Sequence, residues 1–211
     1  MSTSADGRSE RASRQRRNRR REILDAARRV FGERGYHRTH VADLIEAAGI
    51  ARGTFYLYFE SKGAVFIELL DELLGELRKS IIGVDTDEGA APVEMQLIET
   101  IQRLLGKIVD NRLLTTIIVR EAVGLDEEVD GRLAAFYNEL LDYIQRSLDE
   151  GKRMGFLREM DTSVAAFCIL GTIKQLMEQL VMNDESVAPS DVDRMAISVL
   201  DFNLRGILKT T

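Results

Sequence analysis

"GTFYLYFESKGAVF", residues 53–66, decides how this chain is read. Four of the five residues from Phe55 to Phe59 are aromatic, in a chain that is only 6% aromatic. On a helix Phe55 and Phe59 share a face, Tyr56 and Tyr58 fall on its flanks and Leu57 points opposite. The phenylalanines then anchor the segment in a core while the tyrosine hydroxyls stay at the rim. Taken alone, such a cluster is more often plain core than a contact surface. Its neighbours reverse that balance. Upstream, "VADLIEAAGIARG" at 41–53 makes two short helical segments joined across Gly49, the arrangement in which a second helix enters a DNA major groove. The Thr, Tyr, Arg and Lys side chains around that second helix are donors of the kind that hold phosphate oxygens.

Working outward, the chain of 211 residues has only two prolines, Pro92 and Pro189, so long helices meet few breakers. Apolar positions recur at three- and four-residue steps: Ile23, Ala27, Val30 and Phe31; then Phe66, Leu69, Leu70, Leu73, Leu77 and Ile81 behind an N-cap at Ser61. Further stripes follow at Ile98, Ile101, Leu105 and Ile108; at Leu113, Ile117 and Ile118; and at Val129, Leu133, Phe136, Leu140 and Ile144. Asp161 or Thr162 caps the next helix, and Pro189 opens a last one carrying Ile197, Leu200 and Leu204. No strand alternation or internal repeat is present. The pattern predicts an all-α fold of about nine helices. Residues 1–17, without apolar periodicity, are expected to be disordered; 18–62 form a helix-turn-helix unit, and 63–211 a second helical domain.

Charge divides the chain in the same place. Residues 1–62 hold 14 basic against 8 acidic residues, and 63–211 hold 15 against 27, within a net charge of −6. Only the front half is suited to a polyanion. The arm "RASRQRRNRRR", 11–21, carries seven arginines, of which Arg16, Arg17, Arg19 and Arg20 are the candidate DNA contacts. It either slides into a minor groove or adds non-specific attraction. One cysteine, Cys168, excludes an internal disulfide and a cysteine-cluster zinc site. The uncharged run around it, 163–173, is shorter than a membrane span, and no apolar segment follows the basic start as in a secretory signal, so the protein reads as cytoplasmic. The only histidines, His37 and His40, lie in the DNA-binding segment, and no nucleophile–base pair, phosphate-cradling loop or metal cluster appears. An enzyme is disfavoured, and no cofactor or metal is expected.

The segment "ILDAARRVFGERGYHRTHVADLIEAAGIARGTFYLYFESKGAVFIELL", 23–70, closely resembles the N-terminal domain of the TetR family of bacterial transcriptional regulators. "AARRVFGERGY", "VADLIEAAGI", "GTFYLYF" and "SK" occur in family order and spacing. "GFLREMD", 155–161, is similar to a phrase many members carry before the next-to-last long helix. The resemblance implies a recognition helix from Ala51 to Phe59, phosphate contacts from Thr54, Tyr56, Tyr58 and Lys62, and Arg52 with Gly53 nearest the base edges. His40 stands where members place a capping Thr or Ser, and Thr39 beside it is the alternative cap and contact. Ala51 replaces a usual capping Ser, which costs about 1 kcal/mol of helix stability. Ile45 replaces a usual Ala.

The resemblance also implies a homodimer on a palindromic operator, whose last two helices form the interface, with Gly171, Lys174, Gln175, Glu178, Ile197, Leu200 and Leu204 as candidates. Gly171 in mid-helix suggests a close backbone approach. Candidate effector contacts are Ile117, Arg120, Glu121, Phe136, Tyr137 and Cys168, although an ion pair for Arg120 and Glu121, rim packing for Tyr137 and a small core position for Cys168 are the commoner uses of such residues. The expected function is a regulator, most often a repressor, released from DNA by a small apolar or amphipathic effector. The competing reading is an architectural DNA binder without an effector. About 150 residues behind the DNA-binding unit exceed what dimerisation requires and favour the sensor.

Overall fold

The computed structural model describes residues 3–121, 127–182 and 188–207, with the side chains of all of these except 3–9, 12, 120, 121, 189, 206 and 207. Among the described residues the chain forms nine helices and no strand: α1 Thr3–Arg34, α2 Val41–Ala48, α3 Arg52–Tyr56, α4 Lys62–Ser80, α5 Val93–Asp110, α6 Arg112–Glu121, α7 Glu127–Arg153, α8 Thr162–Met182 and α9 Pro189–Ile207. They fall into two compact units, one ending at Glu72 and one beginning at Leu73, so the division lies inside α4.

The N-terminal unit is built on aromatic packing. Ile23, Ala27 and Phe31 of α1, Leu44 of α2, Phe55 of α3 and Val65, Phe66, Leu69 and Leu70 of α4 are completely buried. Phe31 meets Phe66 edge-on at 5.9 Å, and Tyr36 lies 5.0 Å from Phe66. These contacts join α1 to α4, so the stripes read from the sequence meet one another. Gly35 and Gly49 end α1 and α2 in left-handed conformations, φ 78° and 62°, where a Cβ is strained. Ser61 caps α4, its hydroxyl accepting the Ala64 amide at 3.1 Å.

One element differs in extent. α1 continues to Thr3, through the segment expected to be disordered. Arginine is a good helix former, no proline interrupts, and Arg17 and Arg19 bond Ser13 and Glu22 one turn away.

In the C-terminal unit, α5 packs on α9 and α8 on α6 and α7. Ile101, Leu105, Ile108, Ile117, Val129, Leu133 and Phe136 are buried as their spacing predicts, but Leu114 takes the inward place expected of Leu113, which is exposed. Asp161 caps α8, accepting the Ser163 and Val164 amides at 3.0 and 3.2 Å. By length and composition α8 is apolar enough to cross a membrane, a property that the apolar run at 163–173 alone does not reach.

Gly49 has nothing within 4 Å of a Cβ position, so Gly49→Ala tests backbone strain alone. It is expected to destabilise the N-terminal unit by about 1–2 kcal/mol in chemical denaturation. Gly53→Ala, equally open but right-handed, is expected to be neutral or stabilising by up to ~1 kcal/mol.

Candidate nucleic-acid interface

Helix α3 has five residues, too few to persist alone. Ala51 starts it without a side-chain cap, its carbonyl accepting the Thr54 and Phe55 amides. The expected run to Phe59 instead becomes a turn after Tyr56. The Tyr58 and Phe59 amides both reach the Phe55 carbonyl, at 2.9 and 3.0 Å, so Phe59 still buries beside Phe55 at a ring separation of 6.1 Å.

With that face committed to the core, Arg52 and Gly53 are exposed, Tyr56 is 47% and Leu57 71% exposed, and Thr54 and Tyr58 are half-buried. The Arg52 guanidinium lies 5.9 Å from the Tyr56 ring centre. A compact surface thus carries a cation, two phenols, a hydroxyl and one large apolar side chain. The exposure of Leu57 suits apolar contact with a base methyl or a sugar.

Three sequence-predicted contacts are placed differently. Thr39 is fully buried, and its hydroxyl donates to the Gly35 carbonyl at 2.7 Å; it neither caps α2 nor faces outward. His40 is the N-cap residue, and Asp43 accepts its amide at 2.7 Å. That bond, assisted by Arg34 at 2.7 Å, holds the Asp43 carboxyl below its ordinary range. Lys62 turns inward. Its ammonium donates to the carbonyls of Tyr36 and Thr39 at 2.9 Å and His37 at 3.4 Å, and sits 4.4 Å from the Tyr36 ring centre. The 36–39 turn gathers three carbonyls at one point; that of Tyr36 also accepts the Thr39 amide at 3.2 Å, and Lys62 donates to all three.

Arg20, expected with the phosphate-binding arm, is the third. Its Nε donates to both Glu68 oxygens at 2.7 and 3.0 Å, Nη1 reaches the Tyr58 carbonyl at 3.1 Å, and the guanidinium stacks 4.4 Å from the Phe59 ring centre. The hydrogen bond to Glu68 raises the Arg20 pKa further. This clamp, which ties α1, the end of α3 and α4 together, joins residues 48 positions apart and leaves no mark in local spacing. Arg16, Arg17 and Arg19 are exposed.

In the C-terminal unit Ile117 and Phe136 are buried. Tyr137 on α7 is half-buried, burial pushes its phenol pKa up, and Lys174 of α8 lies 5.0 Å from its ring centre. The Arg120 and Glu121 side chains lie outside the described residues. Cys168 does not join this group; it is exposed on α8. On the interface candidates, Gly171, Lys174, Gln175 and Ile197 are exposed and Glu178 and Leu204 half-buried, whereas Leu200 is buried within its own chain. Phe167 and Phe202, 59% and 69% exposed, were missed by sequence reasoning, although Phe167 is four residues before Gly171 on the same face.

Residues 23–69 match the family profile described as bacterial regulatory proteins, tetR family, and 90–178 match the tetracyclin repressor-like C-terminal domain. The fatty acid metabolism regulator protein of Bacillus subtilis is 28% identical over 88% of this chain and 94% of its own. The crystal structure of FadR from Bacillus subtilis in complex with stearoyl-CoA superposes with a TM-score of 0.72 at 27% identity, covering 88% of this chain and 97% of that one. The fatty acid degradation regulator FadR from Bacillus halodurans gives 0.69 at 28% identity, over 89% and 95%.

Lys62→Ala is expected to lower the stability of the N-terminal unit by roughly 1.5–3 kcal/mol, the range for hydrogen bonds to a charged group. Thr39→Val is expected to cost about 1–3 kcal/mol by leaving the Gly35 carbonyl unpaired, with no change in DNA affinity once folded. Thermal unfolding and fluorescence-anisotropy titration of DNA measure the two effects separately.

Proposed function

Because the chain belongs to the tetR family of bacterial regulatory proteins, which are ligand-responsive DNA-binding transcriptional regulators and not enzymes, we propose that it is a cytoplasmic homodimeric repressor released from a palindromic operator by an amphipathic effector. The observation that carries the reading is the split of α3 and the turn after it into a buried pair, Phe55 and Phe59, and an exposed set, Arg52, Gly53, Tyr56 and Leu57. A helix held this way presents fixed side chains to a groove without ordering them on binding. Arg52 reads base edges. Thr54, Tyr56 and Tyr58 hold phosphates, with His40 at the start of α2.

A second copy docks on α8 and α9. Phe167, Cys168, Gly171 and Gln175 recur along one exposed face of α8, and Ile197 and Phe202 are exposed on α9. The Cβ position of Gly171 meets nothing within 4 Å, which leaves room for a neighbouring backbone. The two recognition helices then lie about one DNA turn, ~34–36 Å, or a multiple of it apart.

For the effector, the B. subtilis relatives point to a long acyl chain with a polar head. Ile117, Phe136 and Tyr137 supply apolar lining and a hydroxyl for such a molecule. DNA and effector oppose each other by favouring different dimers, and by linkage each weakens the other equally. The covalent route between the two units is α4.

Selection from random duplex DNA is expected to recover one palindrome with two half-sites. Arg52→Ala is expected to relax preference at one position per half-site by about 1–3 kcal/mol; unchanged preference would remove Arg52 from the reading set. Stearoyl-CoA, but not coenzyme A alone, is expected to lower operator affinity in the same assay. Recovery of no motif despite salt-sensitive retention would instead favour an architectural binder.

A further inference from the structure

The Arg-rich start of the chain has two sequence readings, a flexible minor-groove arm or a non-specific tail, and the fold distinguishes them. Residues 10–19 are a continuation of α1, with no break before Arg34. A helix with its side chains is about 10–12 Å across, whereas the minor groove is only about 6 Å wide. As a helix this segment does not enter that groove. Its reach is also short, about 15 Å for ten residues, against roughly 33–36 Å if extended.

Its direction is set by Arg20. The bonds to Glu68 and the Tyr58 carbonyl, with the stack on Phe59, fix α1 against the end of the recognition segment. Arg16 lies four residues before Arg20, hence on the same face and one turn further out. Arg14, Arg17 and Arg21 follow one another at three- and four-residue steps along an adjacent face. Among the described residues the side chains of Arg11, Arg14 and Arg16 make no hydrogen bond or ion pair, and Glu10 is the only acidic residue at 10–19. The five arginines of this stretch therefore stand on a stiff rod that starts beside Tyr58 and carries little internal neutralisation.

We propose that residues 10–19 form a rigid basic helix, aimed by Arg20, that grips the phosphate backbone of the duplex flanking each half-site and reads no sequence there. This rests on the DNA-binding regulator reading above. Arg20 is a positioning residue in this scheme, and the outer arginines make the contacts. Each phosphate neutralised contributes about 0.9 to the slope of log affinity against log salt.

The test uses full-length protein and the selected duplex in two lengths, the palindrome alone and the palindrome with flanks of either A·T or G·C pairs. Wild type is expected to bind the flanked duplexes more tightly and with a steeper salt slope, irrespective of flank composition. Ser13→Pro keeps every charge but breaks the helix. Arg11→Ala with Arg14→Ala keeps the helix but removes charge. Both are expected to abolish the flank gain while binding the trimmed duplex about as wild type does. In the double alanine variant the salt slope is expected to become shallower by about 0.9 for each phosphate no longer neutralised. A proline variant with wild-type flank gain overturns the proposal in favour of a flexible arm, and an arginine-dependent preference for A·T flanks overturns it in favour of minor-groove reading. Wild type that reads a palindrome but gains nothing from flanks overturns this proposal alone. Wild type that binds no duplex overturns the regulator reading with it.

Discussion

The burial of Phe55 and Phe59 is the interaction on which the exposed surface of α3 and its following turn depends. A five-residue helix has little stability of its own, and its Ala51 start lacks a side-chain cap. It exists because Phe55 near its end and Phe59 in the turn that follows are buried, and because Arg20 covers Phe59 and holds the Tyr58 carbonyl. Once those rings are fixed, helical geometry decides the rest. Arg52, Tyr56 and Leu57 have nowhere to go but outward.

Polar groups then set how α2 and α3 are presented. The turn at 36–39 exposes carbonyls that no helix satisfies, and Lys62 donates to them from the first position of α4. Thr39 closes the same turn from within, and Asp43 ties the α2 start to Arg34. Groups that look like phosphate ligands by type are thus committed to holding the frame. Burying the turn's carbonyls without them costs more than one further bond to an exposed phosphate contributes. The consequence is a rigid platform rather than a larger set of DNA contacts.

The C-terminal unit follows a different rule. Its helices alternate between faces that pack within the chain and faces that carry large apolar side chains outward, such as Phe167 and Phe202. That distribution explains why α8 is apolar enough to pass for a membrane span.

Helix number, the glycine-ended turn after α2, the Ser61 cap and the inward faces of α1, α4, α5 and α7 were legible in the sequence, because they follow from three- and four-residue periodicity and local backbone preference. So was the buried-and-exposed division of Phe55 to Phe59. The extent of α1 was not legible, since apolar periodicity is silent about a helix that buries nothing. The choice between Leu113 and Leu114 turned on a single step of register. The roles of Thr39, Lys62 and Arg20 were decided only by tertiary structure. A hydroxyl, an ammonium or a guanidinium reads the same in sequence whether its partner is a phosphate or a carbonyl of its own chain. For Lys62 and Arg20 those partners lie 23 to 48 residues away, and only folding brings them within reach.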